Sequence, residues 1–144
     1  MSAKCRFLAF TLLATGCAPS PPLPPLLRDA HTTGGSNFLC DQEMVMRGGG
    51  GTTPDTVSHS PEIVARLRHD FPAGSSAASL SSSLRQQGFT LHRCEADRTI
   101  GYALFSQQGG YAILSYHASA SIYWKADAHG RLIWTTGDIG YRGL

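Results

Sequence analysis

From Phe89 to Thr136 the chain runs in short segments of alternating side chains, rich in aromatic and β-branched residues and parted by glycine-bearing turns. That pattern constrains the fold more than any other feature, because a period of two belongs to β-strands. Phe89 to Cys94 sets Phe89, Leu91 and Arg93 against Thr90, His92 and Cys94. Ile100 to Ser106 follows, with Tyr102 and Leu104 on one side. Gln107-Gln108-Gly109-Gly110 is expected to turn the chain. Tyr111 to Tyr116 and Ser121 to Lys125 read as two more strands. Asp127-Ala128-His129-Gly130 reads as a four-residue hairpin turn and Arg131 to Thr136 as its returning arm. The expectation is an antiparallel meander of four or five strands.

Two helices precede it. Ser60-Pro61-Glu62 combines a capping hydroxyl, proline at the first turn and an acid near the positive dipole end. Ile63, Val64 and Leu67 supply an apolar stripe, and Phe71-Pro72-Ala73-Gly74 ends the helix. Ser75 or Ser76 caps a second helix that runs to about Gln87. Ala77, Leu80 and Leu84 fall on one face of it, and Gly88 fits the left-handed position after its end. The other face is largely serine, so this helix depends on tertiary packing. Residues 60–144 therefore form an α+β two-layer sandwich with both helices on one sheet face.

The first 59 residues are of another kind. Lys4 and Arg6 precede the apolar run Phe7 to Ala14, which is too short to span a bilayer and has the length of a signal-peptide core. Leu13-Ala14-Thr15-Gly16-Cys17 follows and resembles the lipobox of bacterial lipoproteins, with Ala14 where leucine is commoner. The resemblance implies that residues 1–16 are removed and that Cys17 carries the lipid. Several acyl chains hold a protein firmly on a membrane. Ala18 replaces the aspartate that typically retains such proteins in the inner membrane, so the resemblance places the chain on the outer membrane, facing the periplasm. Five of the eight prolines lie in Pro19 to Pro25 and favour a polyproline II spacer. Residues 17–59 are read as tether and irregular segment. Gly48 to Gly51 is a linker rather than a phosphate cradle, because no Lys-Ser or Lys-Thr follows.

Phe71-Pro72-Ala73-Gly74-Ser75, a helix ending at Gly88-Phe89, and the hairpin Trp124…Asp127…Gly130-Arg131-Leu132 together resemble small envelope lipoproteins of the BamE/SmpA type. That resemblance implies two helices on a short sheet and an accessory role in envelope assembly. Ala73-Gly74-Ser75 departs from that family's usual start to the second helix, so no binding-surface residue is carried over.

The cysteines and charges narrow the chemistry. With Cys5 in the leader and Cys17 lipidated, Cys40 and Cys94 are left as an even pair in an oxidising compartment, and a disulfide is expected. Twelve basic residues less Lys4 and Arg6 equal the ten acidic ones. A neutral mature chain lacks the footprint for non-specific nucleic-acid binding. His92, Cys94 and His117 could suggest zinc, yet no Cys-x-x-Cys or His-x-x-x-His supports them, and no cofactor is expected. Ser75, Ser76, Ser79, Ser81, Ser82 and Ser83 lack a Gly-x-Ser-x-Gly frame, so no catalytic residue is assigned. The expected partners are membrane lipid, through Cys17, and another envelope protein. An inhibitor of a secreted enzyme such as lysozyme is the alternative, because Trp134 to Asp138 faintly resembles the C-terminal region of such inhibitors; a small hydrolase or metal-binding protein ranks third.

Overall fold

The structure is a computed structural model that describes residues 21–31, 40, 59–95, 97–111 and 114–143. Two α-helices, α1 (Pro61–Asp70) and α2 (Ala77–Gln86), precede four strands: β1 (Thr90–Arg93), β2 (Ile100–Tyr111), β3 (Leu114–Ala126) and β4 (Leu132–Gly143). The sheet is antiparallel in the order β1-β2-β3-β4, a plain meander. The α+β expectation holds, with four strands.

Local chemistry sets the helix ends. Ser76 caps α2 by accepting from the Ser79 N–H at 3.4 Å. At the far end Phe89 N–H bonds Leu84 O and Gly88 N–H bonds Arg85 O, both at 3.0 Å. Those two bonds define a Schellman motif, and Gly88 takes its left-handed position at φ +86°. Leu84 and Phe89 are both buried in the core, which supplies the apolar contact of that motif. Ser60 differs from expectation. Its hydroxyl donates to Glu62 Oε2 at 2.8 Å instead of capping the α1 backbone. Its own backbone N–H is spent on Gly137 O of β4 at 2.8 Å.

The strands run longer than their sequence signals. Gln107 to Gly110 does not turn; it continues β2, with Gln107 opposite Ala118 and Gly109 opposite Tyr116. The reason is a cross-strand glycine–aromatic pair. A Cβ on Gly109 would lie 2.6 Å from the Tyr116 ring, so the glycine makes room for the ring rather than bending the chain. Likewise Tyr111 and Tyr116 fall on different strands, and His117 with the small residues Ala118 to Ala120 joins Tyr116 to Ser121 within a single β3. Ala118 and Ala120 are buried there.

The core lies between the helices and one sheet face. Ile63 and Leu67 of α1, and Leu80 and Leu84 of α2, close over Phe105, Ile122 and Ile139. A third contributor comes from the segment read as tether. Pro25–Leu27 forms a 3-10 turn whose Leu26 and Leu27 are buried in the same core, with Ala30 beside them. The folded unit is therefore wider than residues 60–144. Its backbone is fastened from both helix sides: Leu26 N–H donates to Gln87 Oε1 at 3.1 Å, and Arg66 Nη1 donates to Leu26 O at 2.9 Å.

Glu62 fixes the end of that segment. It accepts from His31 N–H at 3.3 Å, and its second oxygen lies 3.1 Å from His31 Nδ1. Donation from the Ser60 hydroxyl, then from its own and His31's backbone N–H, pulls the carboxyl from 4.5 down to about 2. A depressed folded pKa stabilises above the unfolded value, and that contribution fades as pH falls from about 4.5 towards 2. Glu62→Gln is accordingly expected to lower Tm by a constant amount above pH 5, with the gap from the native chain closing near pH 2. Thermal melts of both chains across pH would show it, and a gap independent of pH would refute it.

Candidate functional site

A cleft of about 630 Å³ opens where the start of α2 and the hairpin turn meet the β1 end of the sheet. Its walls are held by backbone bonds. Ala77 N–H donates to Gly130 O at 2.9 Å, and Leu132 N–H to Ser75 O at 2.8 Å, so the β3–β4 turn is fastened to the first turn of α2. Asp127 closes that turn by accepting from the backbone N–H groups of Arg131 and His129, both at 2.8 Å. Donation from Arg131 first, and then from His129, holds its carboxyl below the usual carboxylate range against partial desolvation. Asp97 pins the β1–β2 loop by accepting from Thr99 N–H at 2.9 Å and from Lys125 Nζ at 3.3 Å. The Thr99 hydroxyl is the largest cause of its lowered pKa.

The floor is aromatic. Trp124 of β3 lies across Gly101 of β2, its register partner, and a Cβ on Gly101 would sit 2.4 Å from the indole. Trp124 is 7% exposed and lines the cleft at that edge. Arg85 from the last turn of α2, Arg93 at the end of β1 and Arg98 in the following loop stand around it. All three are exposed, and none of their guanidiniums makes a hydrogen bond or ion pair with any described residue. Asp127 is the only acid among the described lining residues. The site is cationic although the whole chain carries a formal net charge of only +2. Forked, weakly hydrated guanidiniums suit carboxylates, which they hold with paired donors.

The residues singled out from sequence are dispersed. Cys17 lies outside the described residues, as do residues 1–16 and most of the segment 32–58. Cys40 and Cys94 are joined as a disulfide, with Cα atoms 5.2 Å apart. Cys40 packs against Tyr123 on the sheet face away from the helices. On that face His92 stacks on Tyr102 at 4.9 Å, and Tyr102 on Tyr123 at 5.9 Å. His117 stands opposite Gln108, whereas His92 stands opposite Tyr102. Six strand positions, about 20 Å, separate them. Among the described residues no cluster of three metal-ligating side chains occurs. Of the serines singled out, Ser76 caps α2 and Ser83 Oγ accepts from Gln87 Nε2 at 3.2 Å.

One Ser–His contact escaped the sequence reading. Ser106 Oγ lies 3.1 Å from His117 Nε2. Both residues are exposed on open strands, and no described carboxylate orients the imidazole, so the pair lacks what a nucleophile needs. The arginines also escaped it. They come from a helix, a strand and a loop, and only the topology brings them to one cleft.

The chain matches no protein-family model, no curated protein and no solved structure. Fold and site together define a two-layer α+β protein with a cationic groove at one sheet edge. No helix among the described residues is long and apolar enough to cross a membrane.

Proposed function

We propose that this is a lipid-anchored accessory protein of the bacterial envelope, which works by docking on another envelope protein and not by catalysis. The observation that carries the docking half is the cleft. It offers three arginines, a tryptophan edge and a strand edge, and its lining pairs no nucleophile with a base. Such a surface recognises a partner through charge and shape. The anchoring half rests on the leader and on Cys17. Leu23, six residues further on, already packs against the core, so an acylated Cys17 would hold the body within about 20 Å of the headgroups.

Growth with labelled palmitate, followed by fractionation, tests the anchor. Label is expected in the native chain and not in Cys17→Ser, which should accumulate unprocessed. Copurification of an envelope protein with the native chain from detergent-solubilised membranes is expected alongside. Absence of label, or unchanged processing and fractionation in Cys17→Ser, would overturn the proposal.

A further inference from the structure

We infer that the cleft takes an extended acidic peptide segment of the partner, which pairs with the free edge of β1 and sets its carboxylates against Arg85, Arg93 and Arg98. This rests on the docking reading above and names the chemistry of what docks.

The edge comes first. Cys94 N–H donates to Ile100 O at 3.0 Å, so Cys94 and Ile100 form a hydrogen-bonded pair. Antiparallel ladders alternate, and His92–Tyr102 and Thr90–Leu104 are then hydrogen-bonded pairs too. The N–H and C=O groups of Leu91 and Arg93 therefore point away from β2, and β1 is the terminal strand of the sheet. The side chains of these same two residues line the cleft. The opposite edge is engaged by the chain itself, because Ser60 and Ser75 bond to Gly137 and Leu132 of β4. Among the described residues no such segment lies along β1. A free strand edge beside side-chain pockets is the setting for strand addition.

The charge comes second. Three guanidiniums without counter-ions among the described residues line the cleft with one described carboxylate, Asp127, whose Oδ1 is taken by two backbone N–H groups. The third observation is Trp124. This side chain is more than nine-tenths buried, and its Nε1–H has no acceptor among the described residues. Nε1 lies with Cε2 and Cζ2 on the side of the indole that overlies Gly101 on the cleft floor.

A peptide meets every one of these groups. Its carboxylates suit the arginine forks, its carbonyls suit the indole and the edge N–H groups, and its own N–H groups suit the outward carbonyls of Leu91 and Arg93. A phosphate is too compact to offer a row of donors at strand spacing, about 7 Å between alternate residues, and cannot meet both of those carbonyls together with the arginines. The choice falls on the acidic peptide for that reason.

The test uses the full oxidised chain in detergent and a fluorescein-labelled alternating Val-Glu octapeptide, read by anisotropy. Binding is expected, and it should weaken as salt rises from about 0.05 to about 0.2 M. Arg93→Glu and Arg98→Glu should each weaken it by about tenfold or more, since each places a like charge in the groove. Far-UV circular dichroism and the intact disulfide would certify the variants as folded. In a Trp134→Phe chain, where Trp124 is the remaining tryptophan, binding should shift the indole emission. Methylating alternate backbone nitrogens of the probe keeps its charge, and should abolish binding in the register that faces β1. The inference is overturned if the Val-Glu probe does not bind, or if a Val-Lys probe binds equally well. It is also overturned if methylation in either register changes nothing, or if inorganic phosphate displaces the probe as well as unlabelled peptide does. Probe binding without palmitate incorporation would remove the anchor and leave the cleft intact. Incorporation without probe binding would do the reverse.

Discussion

Leu27→Ala is expected to destabilise the protein by about 2–5 kcal/mol, as much as a substitution in the middle of a helix. Leu27 is fully buried, although it follows a proline run in a stretch that composition alone reads as a spacer. It sits in the same core as Ile63 and Leu67 of α1. Truncation removes its transfer energy and opens a cavity that the bonds of Leu26 to Gln87 and Arg66 prevent the segment from closing. Urea unfolding of Leu27→Ala beside Leu67→Ala checks this. Comparable losses are expected, because both side chains are fully buried. A change within about 0.5 kcal/mol, the range of a surface site, would return Leu27 to the tether.

This segment marks the boundary of what local sequence conveys. The helix limits were legible because each signal lies within a few residues: Pro61 and Glu62 at the start of α1, Ser76 ahead of α2, Gly88 after it. The Asp127–Gly130 turn was legible for the same reason. Leu26 and Leu27 were not. The hydrogen-bond partners of Leu26 lie 40 and 61 residues away, and five neighbouring prolines gave the opposite local signal. Gly109 misled in another manner. A glycine after two glutamines resembles a turn, and only the cross-strand position of Tyr116 gives it a different use. The cleft was the least legible part. Arg85, Arg93 and Arg98 are unremarkable one by one, and a net charge of only +2 conceals their convergence.

Opening the Cys40–Cys94 bond is the second large effect, with an expected loss of about 4 kcal/mol. The figure comes from the loop it closes, a sequence separation of 54, through the entropy withheld from the unfolded chain. A Cys40→Ala/Cys94→Ala chain should show a lower urea midpoint than the oxidised native chain, and reductant should move the native chain towards it. The double variant itself should ignore reductant. Native-state consequences follow from position. Cys94 closes β1 directly after Arg93 and bonds Ile100, while Cys40 covers Tyr123 on the outer sheet face. Loss of the bond therefore uncovers an aromatic stack and frees the end of the edge strand at once. The near-ultraviolet signal of the tyrosines should diminish before global unfolding. Affinity for the acidic probe should fall with it, although no arginine has changed. If midpoint, aromatic signal and affinity all resist reduction in a chain whose thiols have become alkylatable, the bond restrains nothing. The edge of β1 would then owe its order to the sheet alone.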